Sequence, residues 1–210
     1  MDLKNKHFLI TAGPTYIAID DVRVISNLAT AKTGIMLANK LARLGAKVVL
    51  ICGPSEKSGL DKKVKVAGFR FFDELKNLFI KNLKTKKFDF LVHSAAVSDF
   101  RPRKVFDKKI SSDKNGLKLE LIRTEKLIDL AKKNAPKTFL VGFKYEPEAK
   151  KTFLIKEALG LIKKSKADLV VANTMIKDKY SAYLVSEENV SGVINSKTEL
   201  VNALIKKLSF

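Results

Sequence analysis

The chain is poor in the residues that build covalent or transition-metal active sites. Its 210 residues include one cysteine, two histidines and no tryptophan. The lone Cys52 cannot form an internal disulfide, which is typical of a reducing compartment, so we expect a cytoplasmic protein. Two histidines and one cysteine do not complete the usual zinc ligand set, and no Ser/His/Asp or HExxH arrangement is visible. Covalent nucleophilic catalysis is therefore disfavoured.

Long hydrophobic runs are also missing. The longest apolar runs, such as 48–52, are far too short to cross a bilayer, and no small-residue cleavage site follows the lysine-containing start. The composition, 46% apolar and 30% charged, is that of a globular protein, and the length fits one hydrophobic core. We expect a single domain over 1–210, no signal peptide and no membrane partner.

Acidic residues are few relative to basic ones, which leaves a formal net charge of +19. Such a surplus normally suggests a nucleic-acid or anionic-membrane partner. The lysines are spread over every segment, however, and are not concentrated with aromatics on one stripe. We interpret them mainly as surface lysines that steer a polyphosphate inward, and we expect no specific nucleic-acid partner. A non-enzymatic nucleic-acid binder remains the alternative that the charge alone suggests.

Apolar strand-like runs alternate with helix-like segments along the chain. The strand-like runs are 7–11, 47–52, 88–93, 138–141 and 168–172, and the helix-like segments are 32–44, 73–84, 126–134 and 146–164. This rhythm predicts an α/β fold, a Rossmann-like parallel sheet with helices on both faces. A hairpin of 182–186 with 190–194 and a last helix at 197–208 follow.

One stretch, 103–121, departs from this rhythm. It is basic, contains the turn pair Asn115 and Gly116, and then alternates in LKLELI as a strand does. We expect a projecting arm here, used in dimerisation.

Small, amide and acidic residues follow the predicted strands. They are Gly13, Gly53, the stretch 94–99, Gly142 with Phe143, and Asn173. Each alone is explained as a turn residue. Ligands of open parallel sheets bind outside the carboxyl ends of the strands, however, so their joint placement favours a ligand site on that edge.

The loop after the first strand is not that of a typical dinucleotide enzyme. It reads TAGPT, without the second and third glycines of G-x-G-x-x-G, and no acid ends the second strand. An NADPH- or flavin-dependent reductase on the same sheet is therefore the alternative enzyme. The inserted segment 15–32 is long enough to fold across the edge; in it, Asp20, Asp21 and Arg23 are most simply a structural ion pair.

The remaining chemistry is that of positioning and charge, in which the substrates supply the nucleophiles. Nucleotidyl transfer to a carboxylate is one such reaction, because an ionised carboxylate must approach a polyphosphate. Lysines, helix N–H groups and a divalent cation reduce that repulsion. Backbone N–H groups near 30–34 can hold phosphates, with simple N-capping as the competing interpretation. Asp99 is suited to a cation or a ribose hydroxyl, and Lys109 is a mobile cation.

Six stretches carry a resemblance to a known family. They are ITAGPT (10–15), IDDVRVISN (19–27), HSAAVSDFRP (93–102), KISS (109–112), VGFKYE (141–146) and KADLVVANTM (166–175). In order and spacing, over nearly the whole chain, they resemble phosphopantothenate-cysteine ligase. We expect the free-standing bacterial form, because no decarboxylase domain precedes residue 1.

The resemblance implies a two-step reaction of coenzyme A biosynthesis. Phosphopantothenate and CTP give an acyl cytidylate and pyrophosphate, and cysteine then displaces CMP to give phosphopantothenoylcysteine. The resemblance also implies Mg²⁺ and a homodimer.

The matching motifs imply roles for individual residues. Asn27, with Ser26, would bind the acyl substrate, and Asn27 and Lys109 would be the catalytic residues. The implied nucleotide-binding residues are Gly13, Thr30, Ser94, Ala95, Asp99, Leu127, Ile128, Phe143 and Lys164. Asp99 would also bind the metal.

Two departures from the family pattern stand out. Relatives often have S-S-G-K-M-G where this chain has ATAKTG at 29–34, so Ala31 replaces a glycine. Two lysines of a lid in many relatives align with Leu161 and Ser165. Their charge is expected to move to a neighbouring lysine, 163, 164 or 166, of which Lys164 aligns with a basic residue of relatives, and a solvated helix face is the competing interpretation of this run.

Overall fold

The computed structural model describes residues 2–56, 58–112 and 115–209. The strands there are β1 (His7–Ala12), β2 (Tyr16–Ala18), β3 (Val24–Ser26), β4 (Lys47–Cys52), β5 (Lys65–Gly68), β6 (Phe90–His93), β7 (Phe100–Pro102), β8 (Leu121–Arg123), β9 (Phe139–Tyr145), β10 (Leu169–Ile176) and β11 (Lys179–Val185). The helices are α1 (Lys32–Arg43), α2 (Phe72–Thr85), α3 (Ile128–Asn134), α4 (Lys151–Ser165) and α5 (Lys197–Leu208). None of these helices has both the length and the apolar character needed to cross a bilayer.

The main sheet has seven strands in the order β11-β10-β9-β6-β1-β4-β5. Every neighbouring pair is parallel except β10 with β11, which is antiparallel. The predicted Rossmann-like α/β fold is confirmed, as a mixed sheet of mainly parallel strands. Strand β5 escaped prediction because its sequence, KVAG, is short and largely exposed, so it carries no strong apolar signal.

Helices cover both faces of the sheet, and β1 shows how the sequence divides between them. Phe8 and Ile10 pack into a core with side chains from α1 and α5. Leu9, between them, packs into a second core with side chains from α2, α3 and α4. A strand buried on both faces needs such a continuous apolar run, because successive side chains point to opposite faces.

The predicted hairpin near the C-terminus, 182–186 with 190–194, is formed in part, and a regular hairpin that the sequence did not reveal lies one strand earlier. The hairpin of the structure joins β10 to β11, with Lys177 and Asp178 both at positive φ in the turn. A two-residue turn with both central residues left-handed matches the twist of paired strands. The expected pairing of 182–186 with 190–194 is reduced to two single bridges.

The segment after β7 forms a short arm that folds back on the body. Strand β7 pairs with β8, and the Arg103 N–H donates to Glu120 O at 2.8 Å. Further along, the Phe106 N–H donates to Ile19 O, and Ile110 is buried. The turn predicted at Asn115 borders residues 113 and 114, which lie outside the described residues. The use of this arm in dimerisation stays a prediction.

Two helical glycines should respond in opposite ways to alanine. A Cβ on Gly34 of α1 would lie 2.5 Å from Ala12 Cβ and 3.0 Å from Ser94 Oγ, whereas one on Gly160 of α4 would meet nothing within 4 Å. We expect Gly34→Ala to destabilise the fold by about 1–3 kcal/mol through overpacking. Gly160→Ala should stabilise it by about 0.5–1 kcal/mol through helix propensity. Urea unfolding of both variants checks this, and equal shifts would contradict the packing of α1 on β1 and β6.

Candidate functional site

A cavity of about 1030 Å³ opens where the carboxyl ends of the parallel strands meet. It is walled by the loops after β1 and β6, the ends of β9 and β10, and the starts of α1 and α3. The predicted site residues in this wall are Gly13, Asn27, Thr30, Ser94, Ala95, Asp99, Leu127, Ile128, Phe143 and Lys164. Residues spread over more than 150 positions of sequence are thus brought together.

Two predicted site residues lie outside that wall. Ser26 ends β3, and its hydroxyl donates to Thr15 O at 3.1 Å. Lys109 is an exposed residue of the arm, next to the buried Ile110. Their roles as substrate-binding and catalytic residues stay predictions.

The loop after β6 is fixed by hydrogen bonds that continue the β1–β6 pairing beyond the strands. The Ser94 N–H donates to Thr11 O at 3.0 Å, and the Ala96 N–H donates to Gly13 O at 3.0 Å. The Ser98 N–H then donates to Thr15 Oγ1, also at 3.0 Å. This part of the cavity wall is therefore held by backbone groups, and its shape depends little on side-chain freedom.

Asn27 is attached to the same loop. Its Nδ2 donates to Ala96 O at 3.1 Å, an oxygen that also accepts the Thr15 N–H. The side-chain oxygen and the second N–H of Asn27 are then left for a ligand. The exposed residue is thereby held at one position on the cavity rim.

The start of α1 offers backbone donors to the cavity. Ala31 precedes the helix at φ 61°, no side chain caps the helix, and no acidic residue lies in its first turn. The first N–H groups of a helix have no partner within the helix and carry the positive end of its dipole. Since Thr30, Ala31 and Lys32 all line the cavity, these groups are placed to bind an anion.

Charged side chains in the cavity wall are largely paired. Asp99 forms an ion pair with Lys126, and Asp129 lies 3.8 Å from Lys164. Lys144 contacts Glu146 at 2.8 Å and Glu157 at 3.2 Å. Partial burial works against the charged form of Lys144, but its hydrogen bonds to the two carboxylates outweigh burial and raise its pKa.

Two lysines of the wall differ from the others. Lys32 begins α1 and Lys197 begins α5, and both line the cavity. Within the described ranges, neither has a carboxylate within 4.0 Å. The unbalanced positive charge of the cavity therefore lies at these two helix starts.

Two buried acceptor atoms also belong to the wall. Oδ1 of Asp129 and Oδ1 of Asn173 are buried, and neither accepts a hydrogen bond from the described part of the chain. An unsatisfied buried oxygen costs free energy, so both atoms favour a donor supplied by a bound molecule.

His93 lies at the back of the cavity as a buried, neutral side chain. Its Nδ1 shares a 2.8 Å hydrogen bond with Thr11 Oγ1, and its ring lies 5.3 Å from that of Phe79. Burial lowers its pKa to about 4, so the imidazole carries no charge at neutral pH. This environment is typical of a structural histidine.

The cavity holds no ready-made metal cage. In the ranges that the structure describes, no three histidine, cysteine or carboxylate side chains come together as metal ligands. Asp99 contributes one carboxylate, already paired with Lys126. Mg²⁺ often binds through one or two carboxylates and the phosphates of a substrate, and a single carboxylate on the rim fits that mode.

Comparisons with known proteins identify the family. Residues 3–209 match the model of the DNA/pantothenate metabolism flavoprotein C-terminal domain. The chain belongs to this family. The resemblance found in the sequence motifs is confirmed.

Curated relatives within the family are larger proteins. The chain is 40% identical over 174 residues to the "Coenzyme A biosynthesis bifunctional protein CoaBC" of Thermococcus kodakarensis, covering 82% of this chain and 42% of the relative. It is 32% identical over 219 residues to the protein of that name from Borreliella burgdorferi, covering 98% and 53%. The chain thus spans about half the length of the curated relatives it matches.

A solved structure has the same fold over the full chain. The crystal structure of the DNA/pantothenate metabolism flavoprotein from Streptococcus pneumoniae aligns with a TM-score of 0.87 at 26% identity, covering 97% of this chain and 98% of that one. A C-terminal domain of a CoaBC protein aligns with a TM-score of 0.78 at 24% identity, which bears on the fold alone.

Three residues that depart from the family pattern, Ala31, Leu161 and Ser165, lie in or beside the cavity wall of this family member. Ala31 adopts the left-handed conformation that favours glycine, so the backbone keeps a shape suited to the glycine of relatives. Leu161 lines the cavity, while Ser165 is buried and donates to Leu161 O. Of the three candidate lysines, Lys164 lines the cavity, which supports relocation of the charge to that position.

Sequence reasoning missed part of the cavity wall of this family member. Lys144 and Glu146 stand inside the VGFKYE motif and pair with each other, and the second partner of Lys144, Glu157 of α4, gave no local signal. Tyr180 and Lys197 come from β11 and α5, far along the chain. Burial raises the pKa of the Tyr180 hydroxyl to about 12, so it remains a hydrogen-bond donor at neutral pH.

The buried histidine predicts a pH dependence of stability. Because the folded pKa of His93, about 4, lies below its ordinary value of 6.5, the unfolded chain binds this proton first as pH falls. Its stabilising contribution is complete above pH 6.5 and declines toward pH 4, by roughly 2–3 kcal/mol. We expect urea unfolding to show this decline in the wild type and a much flatter profile in His93→Asn. Parallel profiles would contradict the buried neutral state.

Proposed function

We propose that the chain is a phosphopantothenate-cysteine ligase. It would join 4′-phosphopantothenate to CTP as an acyl cytidylate with release of pyrophosphate, and then couple the acyl group to cysteine with release of CMP. The observation that supports this most directly is the convergence of Asn27, the 94–99 loop, Phe143 and Lys164 on one cavity. These residues come from separate motifs of the sequence.

The size of the cavity suits two substrates at once. Ligand pockets usually measure about 300–1,000 Å³. A volume of about 1030 Å³ lies at the upper end of that range. A nucleotide and an acyl substrate can therefore be held side by side, as the first step requires.

The charged side chains of the wall favour an anionic substrate, whose oxygens would replace the carboxylates that pair with the lysines. In the first step the ionised carboxylate of phosphopantothenate attacks the α-phosphorus of CTP, and the bond to the β-phosphate oxygen breaks. Lys32, Lys197 and the N–H groups at the start of α1 would stabilise the departing pyrophosphate. Lys126 and Lys164 would exchange a carboxylate partner for a phosphate oxygen.

A divalent cation fits the same arrangement. Asp99 would hold Mg²⁺ together with phosphate oxygens of the nucleotide, or would bind a ribose hydroxyl. When bound, Mg²⁺ would neutralise charge on the triphosphate. The chain's own contribution is to place one carboxylate on the rim by fixing the backbone of Asp99, whose C=O accepts the Thr124 N–H at 2.9 Å.

The second step also uses chemistry supplied by the substrates. The amine of cysteine attacks the acyl carbon, an amide bond forms, and the bond to the phosphate oxygen of CMP breaks. Asn27 would hold the acyl cytidylate through its free amide groups. Asp129 Oδ1 and Asn173 Oδ1 offer buried acceptors for N–H or O–H groups of the bound molecule.

A homodimer with Lys109 as a catalytic residue completes the proposal. Apolar side chains are exposed next to the cavity and on the strands that lead into the arm, notably Val24, Leu28, Phe100 and Leu121. Exposed apolar clusters of this kind mark interaction surfaces. A second copy covering them would bring its own arm, and with it Lys109, close to this region.

Pyrophosphate release tests the proposal and the role of Asn27 together. With phosphopantothenate, CTP and Mg²⁺, we expect the wild type to release pyrophosphate and, after cysteine is added, to form the amide product. Asn27→Ala should lower the rate by roughly 100-fold, because an anchored substrate group is lost. Asn202→Ala, an exposed amide on α5 that bonds Lys40, serves as the matched control and should keep the wild-type rate.

The same assay distinguishes the alternatives. ATP, GTP and UTP are compared with CTP, and the strongest pyrophosphate signal identifies the nucleotide. If no nucleotide gives pyrophosphate while NADPH or a flavin binds in a fluorescence titration, the reductase hypothesis replaces the ligase. Full activity of Asn27→Ala would remove that residue from the site.

Mixing of variants tests whether Lys109 serves the partner's cavity. Asn27→Ala and Lys109→Ala are each expected to be nearly inactive. If the arm acts across the dimer interface, mixed dimers contain one intact site of two, so exchange of equal amounts should restore about a quarter of the wild-type activity. An inactive mixture would place Lys109 at the cavity of its own protomer, provided that exchange of tagged subunits is confirmed.

A further inference from the structure

The turn between β2 and β3 contains a buried carboxylate, that of Asp20. Its Oδ1 accepts the Val22 N–H at 2.9 Å and the Arg23 N–H at 2.8 Å. Its Oδ2 accepts Arg23 Nη1 at 2.5 Å and the Ile110 N–H at 3.0 Å. Three of these donors are local, whereas the fourth belongs to the arm, 90 positions later in the sequence.

Both backbone polar groups of Ile110, the N–H and the C=O, are hydrogen-bonded to side chains of the β2–β3 turn. Its N–H donates to Asp20 Oδ2, and its C=O accepts Arg23 Nη2 at 3.2 Å. Its side chain is buried although residues 107–109 and 111–112 are exposed. The Phe106 N–H adds a further attachment to Ile19 O at 2.9 Å. The arm is therefore fixed to the β2–β3 turn at Phe106 and at Ile110, and Ile110 comes immediately after Lys109.

The charge state of the carboxylate is consistent with this attachment. The Ile110 N–H is the main cause that keeps the pKa of Asp20 well below its usual range, with burial working in the opposite direction. The carboxylate thus stays ionised at neutral pH. Charge-assisted hydrogen bonds of this kind are stronger than those between neutral groups.

We propose that Asp20 and Arg23 form a clamp that positions Lys109 for the reaction; this inference rests on the ligase function proposed above. Consecutive Cα atoms are about 3.8 Å apart, so fixing the backbone of Ile110 fixes the origin of the Lys109 side chain. The lysine keeps its mobile stem, but the volume that its ammonium group can sample becomes small. Asp20 and Arg23 act through Lys109 as positioning residues.

The clamp also joins two parts of the machinery to one hairpin. The β2–β3 hairpin carries Asp20 and Arg23 in its turn, and β3 leads directly into Asn27 on the cavity rim. The positions of Asn27 and Lys109 therefore both depend on the β2–β3 hairpin. This holds whether the lysine serves its own cavity or that of a partner protomer.

A double-mutant cycle tests the clamp through activity. Asp20→Asn keeps the size of the side chain but removes its charge. It also replaces one accepting oxygen by an NH₂ group, which cannot accept the hydrogen bonds of that oxygen. We expect the rate of pyrophosphate release to fall roughly 10- to 100-fold, since a small misplacement of a catalytic group has effects of that size. In a Lys109→Ala background the same change should have almost no further effect, because both act through one group.

Asp89→Asn is the matched control. Asp89 also accepts a backbone N–H, from His7 at 2.8 Å, and pairs with a cation, Lys6, but it lies at the opposite end of the sheet. This variant should keep the wild-type rate. Equal losses from Asp20→Asn in the wild-type and Lys109→Ala backgrounds would overturn the proposal, because a merely structural residue gives additive effects.

Hydrogen exchange tests the clamp independently of the reaction. The Ile110 amide should exchange at least about 10-fold faster in Asp20→Asn than in the wild type or Asp89→Asn, because its acceptor is altered. Unchanged exchange would overturn the clamp even in an active enzyme. Protected exchange with an inactive wild type would preserve the attachment and reject the ligase function. Should Asp20→Asn fail to fold, Arg23→Lys, which replaces the two nitrogens that contact Asp20 and Ile110 O by a single ammonium group, takes its place in the double-mutant cycle.

Discussion

The site depends on one constraint: the pairing of β1 with β6 continues beyond the strands into their loops. The Ser94 N–H donates to Thr11 O at the end of β1, the Ala96 N–H donates to Gly13 O in the loop after β1, and the Ser98 N–H donates to the hydroxyl of Thr15. These hydrogen bonds join the loop after β1 and the loop after β6 into one rigid shelf, residues 13–15 and 94–98. The Asn27 side chain is attached to that shelf through Ala96 O, so the inserted hairpin takes its position from the same bonds.

The chain as a whole has a large positive net charge, whereas most charges in the cavity wall are paired. The formal surplus is +19, yet most lysines in the cavity wall face a carboxylate. Such pairing lets the wall remain folded without a ligand, because no cluster of like charges has to be held together. Of the lysines in the cavity wall, Lys32 and Lys197, at two helix starts, are those without a carboxylate partner among the described residues. A surface of this charge attracts anions over distance, whereas the paired charges of the wall act only at close range.

Prediction from sequence worked where the physics is local. Buried strands and amphipathic helices carry periodic apolar patterns, so the Rossmann-like sheet and most of its helices were predicted, and the strand-end motifs located the cavity wall. The failures concern contacts between distant positions. The exception is the β10–β11 turn, which is local but depends on two left-handed residues that are not glycine. Lys144, by contrast, acquires Glu157 as a partner only when α4 packs beside β9. Asp20 was interpreted as part of a local ion pair, which is correct for Arg23, but nothing near it indicated Ile110.

The Rossmann-like sheet of this chain lacks the glycine-rich loop of dinucleotide enzymes and has a longer connection between β1 and α1. In those enzymes a short loop brings the pyrophosphate to the first helix, and everything else is supplied by later loops. Here the connection from β1 to α1 is long enough to hold a hairpin. The hairpin carries Asn27 to the rim and, through Asp20, holds the arm that bears Lys109. The helix start remains open to an anion, with Ala31 in the conformation of a glycine. A loop specialised for one cofactor is thus replaced by a hairpin that positions the Asn27 side chain on the cavity rim and holds the arm that bears Lys109.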